Sequence, residues 1–422
     1  MADAILNRID ISLDPAGQDV PLPTRTPSPT RPPRQVSRTG LDLALVTDFA
    51  AFEALEADWN ALVSRSTCAS LAFQTFNWNW HWARHYLASA GRRGPKLAIV
   101  TGRSAGRLAL VLPLVTTRAC GLTRLSWMGE PVSQYGDIVA APEAANPDDI
   151  DRALAFAISA TRADVLYLRK VRDDAAIAPV LAARRTAVTT VEEAPFMSLG
   201  LAPDFDTFED NHGLKRKKNR RRQMRRLAER GTVEFERVTG TDAAASLADH
   251  AVQLKRASLA RRGDIAPAFA DRRFARFFAD AVQGHGRPTG TSVMSIRSNG
   301  EIAAMQIFID HAHHRFLHLA VFSDAFEKCG AGALLLEQAA RDCYESGIDT
   351  FDLLCPKHEY KMDFADGTIT VRDHALGVST LGRFFVRAVL GFRSTAKNAI
   401  VRFPAPVRAA VGKLLARVNR ND

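Results

Sequence analysis

Cysteine is scarce and follows no pairing pattern. The chain of 422 residues holds five: Cys68, Cys120, Cys329, Cys343 and Cys355. Their number is odd and no two form a Cys-x-x-Cys pair. This excludes a disulfide framework and a structural zinc site and points to reduced thiols in the cytosol. Long apolar runs are missing too. No stretch approaches the roughly 18–20 apolar residues that a membrane span needs. The first residues lack a basic segment leading into an apolar core, so no secretory signal is expected. Two nucleotide fingerprints also fail. Gly330 and Gly332 are followed by Ala333, Leu334 and Leu335, which breaks a Gly-x-Gly-x-x-Gly pattern, and no Gly-Lys-Ser or Gly-Lys-Thr occurs there.

Acidic residues are nearly absent from two segments. Residues 375–422 carry nine Lys/Arg against the single acid Asp422, and residues 215–226 carry nine Lys/Arg and no acid. The net charge of the whole chain is only +10, so the remainder is slightly acidic. The basicity is local, which argues against a general nucleic-acid coat. Residues 377–422 interleave apolar and basic positions, a pattern suited either to an anionic membrane surface or to helices packing back on the core. Residues 1–40 hold seven prolines without periodicity and read as a disordered tail.

Hydrophobic residues make up 46% of the chain, enough for sizeable cores in two or three domains. Ordered structure is expected from Leu41. A strand (41–46) leads into a helix over 48–66 capped by Asp48, and Thr75 caps a helix carrying Trp78 and Trp82. Strands follow at 96–102, 107–117 and 122–129, then a helix (148–161), a strand (163–169), a helix (174–183) and a strand (189–199). After Pro203 a long basic helix spans 207–230 and stops at Gly231. A strand (232–238), helices at 241–262 and 269–284, and three antiparallel strands come next. Asn299-Gly300 signals the hairpin between the first two of these.

The stretch Arg315 to Lys361 then reads strand, glycine loop, helix, strand. Gly330 and Gly332 sit where loop becomes helix. There the backbone can approach a ligand closely and a helix start favours negative charge, a combination suited to phosphate. The order from residue 232 is β-α-α-β-β-β-α-β, and the first half shows a similar order. Two α/β units in tandem are therefore expected over 41–205 and 206–376.

This order, with its glycine loop after the fourth strand, resembles the GCN5-related N-acetyltransferase (GNAT) fold. Glu327-Lys328-Cys329-Gly330-Ala331-Gly332 fits that fold's loop pattern except for Glu in place of Gln or Arg at the first position. Phe73-Gln74-Thr75-Phe76, Tyr135-Gly136-Asp137, Lys217-Lys218-Asn219-Arg220-Arg221-Arg222 and Glu359-Tyr360-Lys361 resemble the acetyltransferases of bacterial cellulose and exopolysaccharide biosynthesis. Those are relatives of the Fem-type peptidoglycan aminoacyltransferases, which pair two such units. The resemblance implies a fold of class α/β (α+β), with two tandem GNAT-like domains, each a mixed, mainly antiparallel sheet flanked by helices.

It also implies an activity, namely direct acyl transfer from acetyl-CoA to an amine or hydroxyl of a cell-envelope saccharide, with no covalent intermediate. The donor's pyrophosphate would lie on Lys328, Gly330, Ala331, Gly332 and Ala333, and its pantetheine along Ala320 and Val321. Lys361 with Tyr360 would support the oxyanion, and Asp352 or Glu359 would act as base. Gln74, Trp78, Tyr135, Asp137, Asn219 and Arg220 are the acceptor candidates, although Trp78 equally fits a core and Asp137 a structural carboxylate. Pro356 between Cys355 and His358 argues against a Cys-His nucleophile. His311, His313 and His314 share a turn with no second ligand cluster, so no metal is expected. Transfer of an aminoacyl group from transfer RNA and a non-catalytic scaffold in a polysaccharide-synthesis assembly remain as alternatives. A cradle closed by side chains, or no groove from it to Lys361, would remove the enzymatic reading.

Overall fold

The computed structural model describes residues 40–390, apart from 67, 69, 88–93, 120, 212, 213 and 265. The tail expected over 1–40, save Gly40, and the basic C-terminal segment beyond residue 390 lie outside the described residues.

The first half contains strands β1 (Asp42–Val46), β2 (Lys96–Leu97), β3 (Ile99–Ser104), β4 (Arg107–Leu112), β5 (Leu114–Ala119), β6 (Leu122–Trp127), β7 (Val139–Ala140), β8 (Val165–Arg172) and β9 (Ala187–Ser198). Its helices are α1 (Phe49–Glu53), α2 (Glu56–Val63), α3 (Phe76–Tyr86), α4 (Pro147–Thr161) and α5 (Ala178–Ala183). The second half contributes helices α6 (Phe205–Asn211), α7 (Leu214–Ala228), α8 (Asp242–Arg262), α9 (Pro267–Ala270), α10 (Arg272–Gln283), α11 (Ala331–Glu345), α12 (Glu359–Met362) and α13 (Thr380–Phe385). Its strands are β10 (Val233–Val238), β11 (Thr291–Ser298), β12 (Glu301–His311), β13 (His314–Phe322), β14 (Thr350–Asp352) and β15 (Gly367–Gly377).

Most expected elements form, with the caps their sequences provide. Asp48 Oδ1 accepts from Ala51 N at 2.8 Å and Thr75 Oγ1 from Trp78 N at 3.3 Å. Five differ. The helices expected over 48–66, 207–230 and 269–284 break into α1 and α2, α6 and α7, and α9 and α10, and the strand expected over 96–102 breaks into β2 and β3, which join different sheets. The strand expected over 107–117 is cut at Pro113, which has no N–H for a ladder. Its two pieces join different sheets: β4 lies in the order β1-β3-β4-β7, and β5 in the larger one.

That larger sheet runs through both halves in the order β10-β11-β12-β13-β14-β9-β15-β8-β6-β5-β2. Strand β9 joins them, pairing with β14 at one end and β15 along the rest. Each half is thus a mixed, mainly antiparallel sheet flanked by helices. Only β13–β14 and β6–β8 pair in parallel, and both pairs are short. His314–Phe316 face Thr350–Asp352, and Arg124–Leu125 face Val165–Leu166. Beyond these residues the strands diverge, so each half has one splay.

Two apolar layers cover the sheet. Helices α8 and α10 close one face together with α3 of the first half, through Phe274, Phe277, Phe278 and Trp78. Helices α7 and α11 close the other around Leu227, Leu335, Phe308 and Phe351. The fully buried Arg315 fixes α11 to the strands by bonding Asp310, Asp342 and the Ala339 carbonyl. This holds the start of α11 beside the second splay.

Candidate active site

The second splay has two arms. On one, β13 runs past Phe316 with no strand on its outer edge. The Ala320 carbonyl on that edge accepts from Lys255 Nζ at 3.1 Å, while Val321 is buried and paired with Met305 across the sheet. On the other arm, β14 continues through Leu354 into the turn that starts α12. Lys361 is only 5% exposed, and its Nζ donates to the carbonyls of Leu354 (2.8 Å) and Pro356 (2.9 Å). Burial pushes the Lys361 pKa down to about 8, with the like charge of Lys255 adding to the effect. Burial first, then Arg262, pushes Lys255 down to about 8 as well. Tyr360 is 44% exposed, and Glu359 is exposed. Cys355 has its thiol pushed up by burial, which keeps it protonated and further disfavours a nucleophile there.

At the head of α11, Gly330 has φ 67°, a left-handed conformation that glycine adopts without strain. As the first two helical residues, Ala331 and Gly332 have N–H groups with no intrahelical acceptor. The cradle is half filled. A Cβ on Gly330 would lie 2.2 Å from Gln223 Nε2, so a side chain of α7 occupies that side. On Gly332 a Cβ would meet only Phe322, at 3.7 Å. Helix α7 and the turn after it brace the loop further: Arg226 Nη1 donates to the carbonyl of the exposed Lys328 at 3.3 Å, and Arg230 Nη1 to that of Ala325 at 2.5 Å. Lys218, Arg221 and Arg225 are exposed along α7. The unpaired edge and the open helix start at Ala331 and Gly332 fit a nucleotide-linked thioester. The Gln223 side of Gly330 does not.

A loop of the first half meets this splay. Tyr135 Oη donates to Asp352 at 2.9 Å, and Arg172 Nη1 and Leu354 N each reach the same carboxylate at 2.8 Å. His318 of β13 bonds the Val132 carbonyl at 2.6 Å. Asp352 is 1% exposed, and its oxygens are occupied by these donors. It stands as a tie between the halves, and burial raises its pKa while Arg172 opposes the rise.

The same loop lines a small cleft at the mouth of the first splay, formed by Trp127, Glu130, Pro131, Ser133, Tyr135, Arg169 and Lys170. Trp127 Nε1 and Glu130 Oε1 have no partner there. Lys170 Nζ donates to Gln134 Oε1 at 2.5 Å. Tyr135 both lines the cleft and bonds Asp352, so the cleft lies beside the end of β14.

Of the acceptor candidates, Tyr135 lines this pocket and Gln74 lies one bond behind it, donating to the Tyr135 carbonyl at 2.8 Å. The other four point elsewhere. Trp78 is fully buried among Phe73, Phe277 and Phe278 and donates to Ser133 Oγ. Asp137 is buried and spent on the backbone N–H groups of Ile138, Ala176 and Ile177, with burial pushing its pKa up to about 6. Arg220 is buried against Phe364 and Glu337, and Asn219 is exposed and bonded to Arg222. Sequence reasoning missed Trp127, Lys170, Arg172 and Lys255. Only Lys255 left a trace, as a charged residue in the apolar stripe Ala244, Ala248, Ala251, Val252 of α8.

Residues 215–362 match the family model described as an acetyltransferase (GNAT) domain. The structure titled FemX superimposes with TM-score 0.56 at 9% identity, covering 79% of this chain and 98% of that one. The C-terminal domain of a putative lysylphosphatidylglycerol synthetase from Agrobacterium fabrum gives TM-score 0.48 at 12% identity, over 81% and 96% of the two chains. A tandem GNAT protein from the clavulanic acid biosynthesis pathway gives 0.45 at 14%, over 80% and 100%. No curated protein matches the sequence. No helix among the described residues is long and apolar enough to cross a membrane.

Proposed function

We propose that the protein is an acyl-CoA-dependent acyltransferase, with acetyl-CoA the donor, that transfers the acyl group directly to an amine or hydroxyl of a cell-envelope saccharide or its precursor. The observation that carries this reading is the pairing of two sites on one loop. The second splay offers an open strand edge and a helix start to the donor, and the pocket of the first splay adjoins it through Tyr135.

The donor's thioester arm lies along the β13 edge at Ala320 and Val321, and its diphosphate takes the N–H groups of Ala331 and Gly332. Lys361, held by two carbonyls, supplies positive charge to the developing oxyanion, a contribution worth about 10²–10³ in rate. Tyr135, Arg172 and Asp352 hold the two halves in register. Asp352 has no free oxygen with which to act as base. Trp127 gives the acceptor a ring face and an unpaired N–H, and Glu130 an unpaired oxygen, a set suited to a hydroxylated ring. A role in cellulose or exopolysaccharide synthesis on the cytoplasmic side of a membrane follows from the sequence resemblance, with the basic C-terminal segment as the membrane contact. The division into units at 41–205 and 206–376 belongs to the same reading.

Thermal shift with acetyl-CoA tests the donor. Ligand at 100 times its dissociation constant should add about 2.7 kcal/mol of stability, and no shift with either acetyl-CoA or coenzyme A defeats the proposal. The exposed cations of α7 support a second reading, aminoacyl transfer from transfer RNA. Release of free thiol from acetyl-CoA, without RNA, separates the two.

A further inference from the structure

Helix α8 lies on the sheet through small residues, Ala244, Ala248, Ala251 and Val252, all fully buried. Lys255 continues that stripe one turn on, where an apolar side chain would complete the seat. Taking an ammonium out of water is costly unless a charge partner compensates it. Lys255 makes no direct ion pair among the described residues: Asp264 offsets its burial only in part, the like charge of Arg262 opposes it, and its one hydrogen bond goes to the Ala320 carbonyl on the unpaired edge of β13. Lys361 repeats this arrangement on the opposite arm, bonded to carbonyls, with the carboxylates of Asp352 and Glu192 acting on it without a direct ion pair. Two mostly buried amines therefore flank one splay, each anchored to the backbone of a different arm and close enough to influence each other. Packing alone gives no reason to keep either charge.

We propose that Lys255 is a second oxyanion-stabilising residue, acting from the β13 arm as Lys361 acts from the β14 arm. The proposal rests on the donor reading given above. When the acceptor nitrogen or oxygen bonds to the thioester carbon, the carbonyl π pair moves onto oxygen, and both ammonium groups face that charge. Collapse restores the carbonyl, breaks the C–S bond and expels the thiolate. The proton lost by the acceptor ends on that sulfur, giving the free thiol. The splay thus prefers a donor carrying negative charge beside its sulfur over a neutral one of the same size.

Two stable thioethers test this by calorimetric titration of the full chain: S-carboxymethyl-CoA, whose carboxylate stands for the oxyanion, and neutral S-ethyl-CoA. The wild type should bind the anionic analogue at least tenfold tighter. K255M should cut that preference at least fivefold while binding S-ethyl-CoA within twofold of wild type. K255Q, which keeps a donor for Ala320 but no charge, should behave as K255M does, and K255R should retain the preference. An unchanged preference in K255M or K255Q, or equal weakening of both analogues, overturns the role of Lys255. If the wild type binds neither analogue, the donor reading itself fails.

Discussion

In the second half of the chain the parallel pair β13–β14 opens onto Gly330-Ala331-Gly332, a helix start with no side-chain cap and no acid in its first turn. In the first half the pair β6–β8 encloses α4, which starts Asn146-Pro147-Asp148-Asp149. There the Asn146 side chain accepts from Asp149 N at 2.9 Å, and two carboxylates already complement the helix dipole. A phosphate at that end would meet like charge. The strand geometry is shared, but only one helix start is left open to an anion, and only that one is braced by a basic helix. The first splay holds a pocket with an indole, a carboxylate and two basic side chains instead. Similar backbones therefore do not imply similar ligands; the first turn of the crossover helix decides.

The largest effect is expected at the tie between the two splays. Asp352→Ala would leave the buried Tyr135 hydroxyl and Leu354 N–H unpaired and Arg172 with Asp174 alone, and should cost about 3 kcal/mol, read by denaturant unfolding. An unchanged midpoint would show that the halves do not depend on this contact. Next comes Lys361→Met, which should lower turnover about 100-fold while the donor still binds in calorimetry. Its pH signature has opposite signs for activity and stability. Lys361 carries its charge below about 8, so turnover falls as pH rises through that value. The folded chain holds this proton less tightly than the unfolded one, whose lysine titrates near 10.5, so the stability contribution rises between about 8 and 10.5. Activity and melting temperature measured across that window check both directions.

The contrast between the helix starts is sharpened by Gly332→Ala. The added methyl meets only ordinary contact, so folding should be unaffected, but donor affinity should fall about tenfold, or about 1.4 kcal/mol. Its counterpart, Asn146→Ala, should cost about 1 kcal/mol of stability and leave donor affinity unchanged. The smallest effect belongs to Asn219→Ala. The residue is exposed and bonds only Arg222, so stability should move by less than about 0.5 kcal/mol and titration with acetyl-CoA should match wild type.

Much of the second half was legible because its signals are local. The Asn299-Gly300 turn, Gly347 ending α11 and Gly330 before α11 each require a backbone conformation that few residues adopt, and they mark the elements correctly. The filling of one side of the cradle by Gln223 was not legible, since it depends on how α7 docks more than 100 residues earlier in the chain. The same holds for the acceptor candidates. A tryptophan four residues from another, or a buried carboxylate after glycine, reads alike whether it faces a pocket or a core. Trp78 and Asp137 went to the core, while Trp127, which carried no motif, lines the pocket.

Residue order alone determined the sequence of elements, the open helix start at Ala331 and the lysine after Tyr360, because caps, turns and amphipathic faces depend on neighbours a few positions away. Tertiary structure decided that β9 joins the two halves into one sheet, that Asp352 ties those halves together, and that Lys255 and Lys361 flank one cleft. Those outcomes depend on which distant surfaces exclude water together, and no short stretch of sequence carries that information.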